Sequence, residues 1–182
     1  MPRQSPPTRK PATSPATSPT SSLADADDWL ALDQQLCFAL YAASLAMTKT
    51  YKPLLAPLGL TYPQYLAMLV LWQGDGITVS QLGERLTLDS GTLTPLLKRL
   101  AALGLLQRQR DPQDERRVLL RLTAAGQALR AQALAVPQAI ACATACDLQQ
   151  ISALAAQLTA LRRQLGATLS QVAGPGRPSP RP

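Results

Sequence analysis

The stretch "ITVSQLGERLTLDSGTLTPLLKRLAALGLL", residues 77 to 106, constrains the chain more than any other. Ser80 is placed to cap a short helix over "QLGERL", a turn follows, and Asp89 or Ser90 can cap a second helix. In that second helix Leu93, Leu96, Leu97, Leu100 and Leu103 recur as one apolar stripe, and Gly104 stops it. The pattern is helix, short turn, helix. Off the stripe stand Ser90, Gly91, Thr92, Thr94, Lys98 and Arg99, small or hydrogen-bonding near the start and basic toward the end. A helix that enters the major groove needs that order, because its first turns approach base edges while its basic residues hold phosphates. A helix face turned only to solvent has similar polarity. Pro95 sits deeper in the helix than proline prefers, which predicts a distorted first turn.

Two short runs follow, "LLQRQR" and "RVLLRL", joined by "DPQDER". Partial alternation around a Pro/Asp turn predicts a hairpin, and a hairpin directly after a helix-turn-helix is a wing. Arg116 and Arg117 are expected at its tip, suited to the negative potential of the minor groove. Asp114 is a poor phosphate contact but a good brace for an arginine. The net charge of +7 is misleading by itself, since the Pro-rich ends carry Arg3, Arg9, Lys10, Arg177 and Arg181. Residues 98 to 121 hold the informative excess: Lys98, Arg99, Arg108, Arg110, Arg116, Arg117 and Arg121 against Asp111, Asp114 and Glu115.

Helical periodicity flanks this unit. A long helix is predicted over 27 to 56, ended by Pro57 and Gly59, and a second from about Pro63 to Trp72, entered through Thr61. Thr123 offers a cap for a helix bent at Pro137, and another runs from about Asp147 to Val172. These Ala- and Leu-rich helices suit either a dimer interface or the chain's own core. The expected fold is mainly α with a small β-wing: a winged helix-turn-helix at about 61–122, with dimerisation helices at about 27–56 and 123–172. With 182 residues and 46% hydrophobic content, one domain over 27–172 is expected. The Pro/Ser/Thr-rich ends, 1–26 and 173–182, are read as disordered tails. No apolar run suits a signal peptide or a bilayer span, so no membrane association and a cytoplasmic setting are expected.

The chain has three cysteines, Cys37, Cys142 and Cys146, and no histidine. An odd count with no imidazole argues against a disulfide scaffold and against a metal site, and no cofactor is implied. The missing histidine also removes the commonest general base, which argues against a triad-type hydrolase; a non-enzyme is expected. Cys37 is either a small packed hydrophobe or a reactive thiol. Tyr41 lies one turn away, and Tyr51 and Tyr62 follow; phenol hydroxyls that donate to a thiolate favour it. Tyr51 is fourteen positions after Cys37, about 21 Å along a straight helix, so it can reach only the Cys37 of a partner subunit in an antiparallel dimer. The same dimer can bring Cys142 or Cys146 near, as a thiol for an oxidised Cys37.

The winged unit, "LDSGTLTPLLKRLAALGLL" then "DERRVLLRLT", resembles the MarR family of bacterial transcription regulators. The segment "LCFALYAASLAMTKTYKPLLAPLGLTYPQYLAMLVLW" resembles the OhrR branch of organic-hydroperoxide sensors, in its two-cysteine form. The resemblance runs from about Leu32 to Cys146. It implies a homodimeric repressor of palindromic operator DNA whose peroxidatic cysteine matches Cys37, with Tyr51 and Tyr62 as thiolate-stabilising tyrosines of the other subunit. Cys142 matches the thiol that closes an intersubunit disulfide, and Cys146 an additional cysteine. Ser90, Thr92, Thr94, Lys98 and Arg99 match the recognition helix, and Arg116 the wing arginine. The implied mechanism is oxidation of Cys37 by an organic hydroperoxide, condensation with Cys142, and loss of operator fit. Apolar neighbours, with Phe38, Leu40 and Trp72 as candidates, are expected to favour lipid-like hydroperoxides.

Three other functions fit parts of the pattern. A MarR-type regulator induced by a small aromatic ligand would keep its induction after Cys37→Ser. A thiol peroxidase would turn over hydroperoxide with a reductant, and a helical interaction protein would show no salt-dependent DNA binding.

Overall fold

The computed structural model describes residues 30–172. The tails expected at 1–26 and 173–182, and the first residues of the helix expected from 27, lie outside the described residues. The chain divides into two compact units between Ser44 and Leu45. In the first, Leu32–Gln34 form one 3-10 turn and α1 (Leu36–Leu55) begins. The helix therefore starts at Leu36 rather than near 27. The amides of Gln34 and Gln35 bond back three residues to Ala31 and Leu32 at 3.1 and 3.0 Å, closing a separate turn, and Gln35 is extended. Leu36, Cys37 and Tyr41 are exposed on this half of α1, whereas Phe38 and Leu40 are half-buried.

In the second unit α1 passes through Pro53 and ends in a 3-10 turn, Ala56–Leu58, stopped as expected by Gly59 at φ 64°. Helix α2 (Tyr62–Gln73) is entered through Thr61, whose N–H donates to Gln64 Oε1 at 2.8 Å, with Pro63 in the first turn. A two-residue strand that periodicity cannot reveal, β1 (Ile77–Thr78), precedes α3 (Val79–Leu86). Thr78, not Ser80, caps α3: its hydroxyl accepts from the Gln81 N–H at 3.1 Å, and its own N–H donates to Gln81 Oε1 at 2.8 Å. The reason is backbone geometry, because pairing with the wing holds Thr78 in the extended conformation a cap requires.

Helix α4 (Ser90–Ala102) follows a turn at Thr87–Asp89 and buries Leu93, Leu96, Leu97 and Leu100. Leu103 departs from the expected stripe and is 50% exposed, because the helix has ended and Gly104, at φ 71°, turns the chain so that Leu105 is buried instead. Pro95 lies inside α4 on its exposed side, where the helix runs on without interruption.

Strands β2 (Leu106–Asp111) and β3 (Asp114–Leu122) form the wing, and the sheet order is β1-β3-β2, all antiparallel. Leu106 pairs Leu122 and Arg110 pairs Val118. Helices α5 (Ala124–Ala133) and α6 (Ala135–Thr144) are the expected bent helix, interrupted at Leu134. Pro137, which has no N–H for the carbonyl four residues back, lies just beyond that interruption. Helix α7 (Leu148–Val172) is capped by Asp147, which accepts from the Gln150 N–H at 2.8 Å.

The core gathers Leu55, Tyr65, Met68, Leu71, Leu82, Leu93, Leu97, Leu100 and Leu120, each almost wholly buried. Each such leucine contributes about 1.5–3 kcal/mol. Helices α5 and α6 add Ala133, Val136 and Ile140. The two readings of the C-terminal helices thus divide: α5 and α6 feed the chain's own core, whereas Leu154, Leu158, Leu165 and Leu169 of α7 stay exposed at helical spacing.

Close approaches lock this unit. A Cβ built on Gly126 would stand 2.0 Å from the Leu105 carbonyl oxygen, so the first turn of α5 packs backbone to backbone. The Thr123 hydroxyl accepts from the Gly126 N–H at 3.0 Å and donates to the Gly104 carbonyl at 2.6 Å. Trp72 Nε1 donates to the Gly126 carbonyl at 2.8 Å, and Asp75 accepts from the Leu122 N–H at 3.0 Å. Gly83 serves the crossing of α3 and α4, since a Cβ there would meet Leu93 at 2.8 Å and the Leu88 carbonyl at 2.9 Å.

Candidate functional site

The outward face of α4 is built from its cap. Asp89 Oδ1 accepts from the Thr92 N–H at 2.9 Å, and Oδ2 accepts from the Thr92 hydroxyl at 3.1 Å. These bonds, the backbone one foremost, hold the Asp89 carboxyl below the ordinary carboxylate range. A Cβ on Gly91 would come to 3.0 Å from Asp89 Oδ1, so the small residue protects the cap. The Thr94 hydroxyl donates to the Ser90 carbonyl at 2.8 Å. Ser90, Thr92, Thr94, Lys98 and Arg99 are all exposed, opposite the buried leucines. The hydroxyl protons of Thr92 and Thr94 are engaged within the helix, leaving their oxygens as acceptors.

The wing turns more tightly than expected. Only Pro112 and Gln113 separate β2 from β3, so Arg116 and Arg117 lie in β3 just past the turn rather than at the tip. Asp114 braces an arginine as its position suggested: Oδ2 stands 3.1 Å from Arg117 Nε, and Oδ1 accepts from the Arg116 N–H at 3.1 Å. Arg108, a member of the local charge excess but absent from the expected site, joins Arg116 and Arg117 along a cleft of about 470 Å³ that reaches the start of α3.

Between α3 and α4, Thr87 adopts the left-handed conformation, φ 57° and ψ 42°, which β-branched residues rarely take. Arg162 of α7 donates from Nη1 to the Thr87 hydroxyl at 2.9 Å. No local pattern links these residues, which are 75 positions apart.

Of the residues with redox expectations, Cys37 is exposed in the first turn of α1. Tyr51 and Tyr62 come together, with ring centroids 4.6 Å apart at 34°, and Tyr65 stands 5.8 Å from Tyr51. Desolvation raises the pKa of Tyr51, Tyr62 and Tyr65, and neighbouring phenols add to the shift for Tyr51 and Tyr65. The three therefore remain neutral hydroxyl groups at physiological pH. Trp72 packs edge-on to Tyr65 at 6.3 Å and spends its N–H on Gly126.

Cys142 and Cys146 do not share a helix face. Helix α6 ends at Thr144, and Ala145 turns left-handed at φ 51°, which carries Cys146 out of the helix. Cys142 is exposed; Cys146 is half-buried, and its Sγ donates to the Thr144 carbonyl at 3.3 Å. Among the described residues no cluster of His, Cys, Asp or Glu is suited to a metal ion, and no single helix is long and apolar enough to cross a membrane.

The MarR family pattern matches residues 60–118. Over 113 residues the chain is 54% identical to the organic hydroperoxide resistance transcriptional regulator of Bacillus subtilis, spanning 62% of this chain and 77% of that one. The chain belongs to the MarR family. Within it, the chain stands with the organic hydroperoxide resistance regulators. MarR proteins are transcription regulators and not enzymes, and their winged-helix fold is the one described above. A solved structure of reduced AbfR bound to DNA matches with TM-score 0.63 and 33% identity, covering 78% of this chain and 99% of that one. AbfR, of Staphylococcus epidermidis, is also solved in a disulfide-formed state, matching with TM-score 0.54 and 36% identity over 77% of this chain and 98% of that one.

Proposed function

We propose that this MarR-family chain is a homodimeric repressor that leaves operator DNA when an organic hydroperoxide oxidises Cys37. The carrying observation is the exposed Cys37 thiol in the first turn of α1, on a chain that also bears an outward, polar and basic α4. A sensing thiol has to be accessible to the peroxide, and the exposed Cys37 sulfur meets that requirement. The Cys37 thiolate attacks the distal peroxide oxygen, the O–O bond breaks, and the alkoxide takes a proton to leave as the alcohol. The sulfenic acid then condenses with Cys142 of the partner subunit: its thiolate attacks the Cys37 sulfur, the S–S bond forms, and hydroxide leaves as water. The exposure of Cys142 and the engaged thiol of Cys146 favour Cys142 in that role.

Tyr51 and Tyr62, neutral and adjacent, would donate to the partner's Cys37 thiolate. The exposed leucines of α7 supply apolar surface for a twofold interface. An S–S bond holds its sulfur atoms about 2.0 Å apart, and a shift of the helices carrying them to reach that distance would cost the two reading helices their operator spacing. Three unpaired thiols suit a reducing cytoplasm.

Ser90, Thr92 and Thr94 would face base edges, and Lys98, Arg99, Arg116 and Arg117 phosphates or the minor groove. Arg116→Ala is expected to reduce the slope of log affinity against log salt by about one, the effect of leaving one phosphate unneutralised, in an operator titration between about 50 and 200 mM salt. An unchanged slope would show that Arg116 neutralises no phosphate.

A non-reducing gel of the purified protein, before and after one equivalent of cumene hydroperoxide, tests the redox step. A dithiothreitol-sensitive covalent dimer is expected in the wild type and in neither Cys37→Ser nor Cys142→Ser. Absence of that dimer, with Cys37 still a free thiol by mass spectrometry, would overturn redox sensing and leave a ligand-induced regulator.

A further inference from the structure

We infer that Arg162, far along α7, is a positioning residue for DNA reading: it holds the turn that sets the angle of α4 through the Thr87 hydroxyl. This rests on reading the chain as a DNA-binding regulator. The link between α3 and α4 is only Thr87, Leu88 and Asp89. Its first residue is β-branched in a left-handed conformation, a state that persists only where surrounding groups over-determine it. The Thr87 amide is shared between the Glu84 carbonyl, at a long 3.3 Å, and the Gly83 carbonyl, which also accepts from the Leu88 amide at 2.9 Å. Asp89, two residues further, caps α4. A small rotation at Thr87 is therefore transmitted directly to Ser90, Thr92 and Thr94.

The guanidinium of Arg162 meets this turn from outside the winged unit. It closes one side of a groove of about 500 Å³ whose other walls include Gly83, Glu84, Thr87, Ser90 and Leu93. A charged donor on a neutral hydroxyl is stronger than a bond between neutral groups, and it fixes the Thr87 rotamer as well as the turn. The position of α7 thereby becomes an input to the angle of α4, whichever residues of α4 touch DNA.

The test is operator titration at several salt concentrations with Arg162→Ala, Thr87→Val, Thr87→Ser and the Arg162→Ala/Thr87→Val pair. Valine keeps the branched shape and the strained backbone but lacks the hydroxyl. Losing one hydrogen bond at the turn is worth a factor of about three per half-site, which squares to about tenfold for a twofold dimer. Arg162→Ala and Thr87→Val are each expected to bind about tenfold more weakly with an unchanged salt slope. Thr87→Ser is expected to bind like wild type, and the pair no more weakly than either single variant. Binding within twofold of wild type for Arg162→Ala, a slope reduced by about one, or losses that multiply in the pair would each overturn the inference. Amide exchange in the DNA-free protein provides an independent arm: the Thr87 and Leu88 amides should exchange at least about threefold faster in Arg162→Ala, with the Leu100 amide unchanged. If wild type fails to bind DNA, that result counts against the proposed function; unchanged exchange at Thr87 and Leu88 counts against the brace.

Discussion

Gly126→Ala is expected to cost about 3–5 kcal/mol, lowering the thermal midpoint by about 10 °C in a circular-dichroism melt. The new Cβ would lie 2.0 Å from the Leu105 carbonyl oxygen, 3.0 Å from its carbon and 3.3 Å from Leu122 Cδ2. No side-chain rotation relieves a clash with backbone, so α5 must lift away. Lifting it strains the Trp72 hydrogen bond to the Gly126 carbonyl and the Thr123 cap on its N–H, each worth about 1 kcal/mol. Gly74→Ala is the matched control, since its backbone is extended and a Cβ there meets nothing within 4 Å. It should melt within about 0.5 kcal/mol of wild type. A Gly126→Ala protein as stable as that control would contradict the packing of α5 on Leu105.

The largest functional effect is expected at Cys37. With Ser in its place the protein should hold operator DNA in the presence of cumene hydroperoxide, while wild type releases it, in a fluorescence-anisotropy time course. A serine hydroxyl is not ionised near neutral pH and its oxygen is a poor nucleophile toward peroxide, so release should slow at least about 100-fold. Operator affinity before oxidant should match wild type, because Cys37 lies on α1, outside the helix-turn-helix and wing. Release at the wild-type rate from Cys37→Ser would return the chain to a ligand-induced mechanism.

Much of this architecture is legible in the residues because it is local. The stripe from Leu93 to Leu100, the cap at Asp89 and the Pro/Asp turn of the wing each announce themselves within a few positions. What sequence reading missed is set by contacts or by backbone state. Thr78 displaces Ser80 as a cap because a strand partner about forty residues away holds it extended. Thr87 and Ala145 take left-handed conformations where glycine or asparagine is the usual occupant, so neither the strained turn nor the end of α6 before Cys146 is signalled. The late start of α1 puts Cys37 in its first turn, because Leu32–Gln34 close a separate 3-10 turn and Gln35 is extended, a break that apolar periodicity does not signal. The bond from Arg162 to Thr87 joins distant segments and carries no pattern at all.

The bonds that tie Thr123 to Gly104, Trp72 to Gly126 and Asp75 to Leu122 fasten the end of α4, the foot of the wing, α2 and the start of α5 into one block. Within one subunit this block carries the foot of the wing and the end of α4 together. One added base pair between half-sites turns the second by about 34–36° and shifts it by about 3.4 Å, so the block of the second subunit in a twofold dimer would meet its half-site out of phase. The chain would thus recognise a distance as much as a set of letters, and a regulator of this build would find its targets in a genome by their helical phasing.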